Sequence, residues 1–289
     1  MSWFLPLFLF LIGLSVGSFV NVVVLRFGFS ETASSRSRCM ACDAVVSWYD
    51  LLPVVSFWAL SGRCRVCGSA LSLQYPLVEL ALGVLFLLSF LFVPPVFSFW
   101  SVLSFLALLS FLALMVALVA YDVRHTLVPL PFVYAIVASA AALSVSQSLA
   151  IRSFEPLFDS ALGAAALFGF FMGIVILTHG RGMGAGDAYV AGAIGILLGL
   201  FRGIEAIVIG VWSGTIVALI LLLLSSILLK TRLFPKHLHV TMKTELPLIP
   251  FLAFGTVVAL YTNLSPLLWA ASLVSFFLPG HSGTGTSVY

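Results

Sequence analysis

Long runs without a single charged side chain decide what this chain can fold into. From Trp3 to Leu25 there is no Asp, Glu, Lys or Arg, and Phe99 to Ala120 is equally free of charge. An α-helix needs about 20 apolar residues to cross the hydrocarbon core of a bilayer. Apolar spans of this kind fall near 4–25, 77–93, 99–120, 130–149, 157–178, 188–201, 203–229 and 249–278. Over all 289 residues, 62% are hydrophobic and 8% charged. A soluble domain needs roughly 25% charged residues to cover its surface, so lipid must be the main solvent here. The expected fold class is therefore an all-α polytopic membrane protein with about eight transmembrane helices. A net charge of +3 without any dense basic run argues against a nucleic-acid partner.

The charges between the spans predict the orientation. No Lys or Arg precedes the first apolar run, and Arg26 follows it; a cleaved secretory signal carries its positive charge first. The expectation is an uncleaved first helix over residues 1–26, with its N-terminus outside and Arg26 at the cytoplasmic end. Crossing from there places 26–76, 121–129, 179–187 and 230–248 in the cytoplasm. Those segments hold every Lys and Arg except Arg152 and Arg202, as the positive-inside rule requires. Residues 77–279 read as a seven-helix membrane domain and 280–289, rich in Gly, Ser and Thr, as a disordered tail. No internal repeat of the transporter kind is visible.

Residues 27–76 form the single sizeable extramembrane domain and hold all four cysteines. Cys39 and Cys42, then Cys64 and Cys67, make two CxxC turns about twenty residues apart, a spacing typical of zinc sites. Each turn offers two sulfurs to one metal, and four thiolates close a tetrahedral shell with no open position, so the zinc would be structural. A reducing cytoplasm disfavours the disulfide alternative, and a small domain often needs such a metal to fold. Between the cysteine pairs, Trp48 to Trp58 is apolar and aromatic yet too short to span. It is expected at the membrane interface, the depth that Trp and Tyr prefer.

Two aspartates stand at span ends. Asp122 closes the third span, and Asp187 opens the sixth after Gly182, Gly184 and Gly186. The topology puts both at cytoplasmic helix ends, at one depth. Ionisable groups at membrane depth are costly and usually functional. Two neighbouring carboxylates tend to share a proton; one can then act as base on a water while the other donates to a scissile carbonyl. The glycines, Gly184 and Gly186 above all, permit turns and close substrate approach. Ala188, Gly192, Gly195 and Gly199 form a small-residue stripe, as do Ala113, Ala117 and Ala120, so the two helices are expected to pack and join the carboxylates. The plainer alternative makes Asp187 a helix cap and Asp122 a salt partner of Arg124 or His125. Glu79 either snorkels to the interface or faces the site. His237 and His239 read as part of a solvated basic loop, and His281 lies in the tail.

The same residues carry a family resemblance. Gly17 to Val23 before Arg26, the four-cysteine domain with Trp48-Tyr49-Asp50 and Pro53, and Tyr75 to Glu79 resemble the type IV prepilin peptidases. So do Asp122 with Pro129, Gly184-Ala185-Gly186-Asp187, and Pro247 with Pro250 to Ala253 and Gly255. The resemblance covers most of the chain. It implies a GxGD-type intramembrane aspartyl protease of the bacterial inner membrane, with Asp122 and Asp187 catalytic. Its substrates would be type IV prepilins and pilin-like pseudopilins, cut after a glycine on the cytoplasmic side. It also implies N-methylation of the new terminus with S-adenosylmethionine, whose contacts no motif in this sequence identifies. Departures are Tyr189-Val190 where the family usually has Lys-Leu, and Leu130 after Val128-Pro129. The rivals are a proton-coupled transporter, which would place its charges near mid-membrane, and a non-catalytic zinc-bearing assembly protein.

Overall fold

The computed structural model describes residues 4–27, 37–96, 98–181, 183–231 and 247–262. Arg36, Gly182, the loop with His237 and His239, residues 263–278 and the tail fall outside them.

The long apolar spans are helical where the structure describes them. Helix α1 runs Phe4–Arg26, a short α2 Val55–Ala59, α3 Gln74–Phe92, α4 Phe99–His125, α5 Leu130–Ile151, α6 Glu155–Leu177, α7 Ala185–Thr231 and α8 Ile249–Tyr261. Their ends follow local chemistry. Pro94 and Pro95 lie just beyond α3, and Ser98 caps α4 by accepting the Ser101 N–H at 3.2 Å. Pro131, Pro156 and Pro250 stand in the first turns of α5, α6 and α8, where a missing N–H costs nothing.

Six of these helices are long and apolar enough to cross a membrane. The last, α7, spans 47 residues, which as one rod would far exceed a bilayer. It is broken at Gly199, which has φ 75° and ψ −171°. A Cβ at Gly203 would lie 3.6 Å from the Gly195 Cα; in a straight helix those residues stand about 12 Å apart. The chain therefore turns back at Gly199, and α7 consists of two arms. These correspond to the expected spans 188–201 and 203–229, with the boundary placed by the glycine. Helix α8 covers 13 residues of the expected span 249–278. The all-α polytopic reading holds.

Helices in lipid gain little by hiding apolar surface from one another, so close backbone approach supplies much of the association. Gly13 and Gly17 of α1 lie against the backbone of Leu82 and Glu79 in α3, and Gly255 of α8 against Ala206 and Gly210 in α7. The expected partner of the α7 stripe was α4; the structure corrects this. Gly195 and Gly199 meet Gly163 of α6, and Gly192 meets Phe168 of the same helix. Helix α5 contacts both α4 and α7 and stands between them, so the small residues of α7 serve α6 instead.

Candidate active site

Asp122 lies one turn from the C-terminus of α4. That helix stops at Thr126, which takes the left-handed conformation with φ 50° and returns its N–H to the Asp122 carbonyl at 2.7 Å. The Asp122 side chain is 5% exposed. The N–H of Ile249, at the start of α8, points to its carboxylate, as expected of the unpaired donors at a helix N-terminus. The other oxygen, Oδ2, is buried without a hydrogen-bond partner among the described residues. Among those residues Asp122 forms no ion pair with Arg124 or His125, so the salt-partner alternative does not apply.

Asp187 is half-buried in the first turn of α7. Its N–H bonds the Gly184 carbonyl at 3.2 Å, and its carboxylate takes the Gly184 N–H in return. The carboxylate reaching back to the N-cap N–H from three residues inside is one half of a capping box; the other half is absent because Gly184 has no side chain. The capping alternative is thus partly right for Asp187. It coexists with a second relationship, because the Asp122 charge acts on the Asp187 carboxyl. The two acids thus lie within electrostatic reach of one another.

They meet through a loop. A Cβ built on Gly186 would lie 2.5 Å from the Val128 Cβ, closer than carbon atoms pack. Residues 126–129, which link α4 to α5, are pressed against the start of α7, and glycine is what allows it. Around this junction Phe27, just beyond α1, meets Tyr121 edge-on at 5.7 Å and Phe132 at 4.9 Å, and Tyr121 lies 4.5 Å from His125. Sequence reasoning missed Val128, Phe27 and Ile249. The signals were present in part: Val128 precedes Pro129, and Ile249 precedes Pro250 at a helix start.

The four cysteines form the second cluster. Their sulfurs all lie within 4.8 Å of one another, and Cys39 Sγ is 3.8 Å from Cys67 Sγ. Four sulfurs at about 2.3 Å from one zinc would stand roughly 3.8 Å apart, so the cluster fits a tetrahedral metal. The two turns are built alike. Arg38 pairs with Val45 and Arg63 with Ala70; Cys39 and Cys64 donate to the carbonyls of Ala44 and Ser69; Asp43 and Gly68 donate back. Asp43 and Gly68 both take positive φ, 56° and 70°. The matching Arg-Cys-x-x-Cys strings at 38–42 and 63–67 were the sequence trace of this duplication. The N–H groups of Ala41 and Cys42 pull the Cys39 thiol down to about 6. Cys42 is pushed up to about 11: the Ala44 N–H favours its thiolate, but the competing sulfurs of Cys67 and Cys39 outweigh it. Four thiols so close compete for negative charge, a conflict that a cation relieves.

Glu79 departs from both expected roles. It is 6% exposed, and its Oε2 accepts the Val54 N–H at 2.7 Å, with Ser18 of α1 as a further partner. It therefore ties the extramembrane domain to the helix bundle.

Comparison with known proteins agrees along most of the chain. The model of the bacterial peptidase A24 N-terminal domain matches residues 11–93, and that of the type IV leader peptidase family matches 107–231. A prepilin leader peptidase/N-methyltransferase of Myxococcus xanthus is 32% identical over 77% of this chain and 65% of its own length, just under two thirds. The proteins of that name from Klebsiella pneumoniae and Bacillus subtilis are 32% and 27% identical, over 66% and 93% of this chain and 84% and 96% of their own. No solved structure matches.

Proposed function

We propose, since the chain belongs to the type IV leader peptidase family, that it removes the leader peptide from type IV prepilins and pilin-like proteins with Asp122 and Asp187 as the catalytic pair. The observation that carries this reading is the contact of Val128, in the loop after Asp122, with Gly186, the residue before Asp187, beside a buried Asp122 oxygen that has no partner among the described residues. An aspartyl protease needs one acid that is ionised and one that holds a proton. The ionised carboxylate takes a proton from a water, and that water attacks the peptide carbonyl while the protonated acid donates to its oxygen. Breakdown of the tetrahedral intermediate returns a proton to the leaving amine. The Ile249 and Gly184 N–H groups each orient one carboxylate.

The remaining parts support that task. Residues 27–76 form the extramembrane domain, and zinc is the metal that its four cysteines suit: held by four thiolates, it would be structural. Tyr75, in the first turn of α3, lies within electrostatic reach of both Cys39 and Arg124. The bacterial inner membrane is the location, with the N-terminus outside and the site on the cytoplasmic side; the distribution of Lys and Arg supports that orientation.

N-methylation of the new terminus comes with the family, S-adenosylmethionine supplying the methyl group. Neither the groove along α1 between Phe8 and Phe19 nor the one beside Arg152 combines an acid with a polar adenine-binding edge.

The test is the intact mass of a type IV prepilin co-expressed with the wild-type chain, Asp122→Asn or Asp187→Asn. Asn preserves shape but cannot act as the base. Leader loss with the wild type alone is the expected result, and an added methyl group would establish the transferase. Cutting by either variant would remove that aspartate from the mechanism.

A further inference from the structure

The extramembrane domain exposes large apolar side chains that its own fold does not cover. Trp48 and Trp58 are 77% and 75% exposed, and Leu51, Leu52 and Val55 between them are also open. So many bare apolar groups within a dozen residues would be an aggregation hazard in water. Two contacts fix where this segment stands. On one side Arg65 grips Asp50 through Nε and Nη2, at 3.1 and 2.7 Å, and lies over the Tyr49 ring. On the other, Glu79 accepts the Val54 N–H.

Glu79 is an unusual acceptor for that N–H. It lies five residues into α3, about 7.5 Å along the axis from Gln74, and helical side chains lean back towards the N-terminus. Val54 is therefore held at the level of the first turn of a membrane-spanning helix. It is kept there at a backbone cost, with φ 61° at a β-branched residue.

We propose that the segment Trp48–Trp58 lies in the lipid headgroup region of the bilayer, and that Glu79 is the positioning residue that holds it there. The occupant of the apolar surface is lipid. Glu79 joins the segment to α3, which itself exposes Leu77, Leu80 and Val84. Its side chains are the Trp, Tyr and aliphatic mixture that suits interfacial depth, and it is too short to span. Seated this way, the metal-bearing turns stand just above the membrane surface. The inference depends on the chain spanning a membrane and is independent of the chemistry at Asp122 and Asp187.

The full chain in phospholipid nanodiscs, doped with a phosphatidylcholine bearing a photoactivatable diazirine high on its acyl chain, tests this. Cross-linked peptides are mapped by mass spectrometry, with peptides of α1 and α3 as internal references. The expected result is adducts on the peptide carrying Trp48–Trp58 in the wild type and in Glu79→Gln, whose amide oxygen still accepts the Val54 N–H. Glu79→Ala should show several-fold fewer there, with the α1 adducts unchanged. Trp48→Ser with Trp58→Ser, an exposed change that spares the latch, should also lower them. References labelled while this peptide stays unlabelled in the wild type would overturn the proposal. Equal labelling in Glu79→Ala would overturn the role of Glu79. An uncleaved prepilin carrying its own diazirine that labels this peptide, while the lipid probe leaves it unlabelled, would assign the surface to the substrate and overturn the lipid reading.

Discussion

Gly186 and Val128 occupy space that two side chains could not share: a Cβ on the glycine would stand 2.5 Å from the valine Cβ. One belongs to the loop after Asp122 and the other immediately precedes Asp187. The contact is thus the mechanical join between the two halves of the candidate dyad.

Gly186→Ala should therefore displace Asp187 while leaving the bundle intact. Overpacking of this kind costs about 1–3 kcal/mol, which expressed at the site is roughly a 5- to 150-fold loss of cleavage rate. Val128→Ala keeps the offending Cβ and should not rescue it, whereas Val128→Gly should restore part of the activity. Leader-cleavage kinetics for the two double variants decide the matter, and equal activity in both would break the mechanical link.

Asp159 of α6 completes a helix to which it does not belong. Its Oδ1 accepts the Leu200 N–H at 3.1 Å, just past the break at Gly199. Asp159→Ala should remove an N-cap worth about 1 kcal/mol and lower the thermal midpoint in detergent, without changing the cleavage rate of the folded enzyme. Gly199→Ala should be worse, since its Cβ would run into the same carboxylate and positive φ disfavours any side chain.

The metal site should titrate. Bound metal requires thiolates. Near neutral pH Cys39, with its thiol at about 6, is already ionised, while Cys42, at about 11, is not. Zinc uptake should therefore release protons, and affinity should weaken steadily as pH falls from about 9 towards 6, where Cys39 also protonates. Competition with a chromophoric chelator across that range measures it. Metal analysis should find one zinc per chain and none after substitution of Cys39 and Cys42 by Ser.

Helix α1 should tolerate no bulk at Gly17, whose Cβ would lie 2.5 Å from the Glu79 Cα. Gly17→Leu should push α1 from α3 by overpacking, at about 1–3 kcal/mol, and so loosen the contacts that surround Glu79. Cysteine cross-linking between the two helices should fall in step with the folded yield, while Gly17→Ala should show the smaller loss.

Membrane class, the positions of most helices and the placing of two acids at helix ends were legible in the residues. The reason is that each depends on local chemistry: apolar length, proline and charge at the boundaries, and short strings around cysteine and aspartate. Which surfaces meet was not legible. The α7 stripe reads equally well against any small-residue partner, and only the folded arrangement, with α5 between α4 and α7, gives it to α6. Glu79 is the sharpest case. Its sequence position allowed a snorkelling acid or a site acid, and nothing local points to the Val54 N–H twenty-five residues earlier. A partner so far along the chain is chosen by how α1, α3 and the metal domain stack, a decision that belongs to the tertiary structure alone.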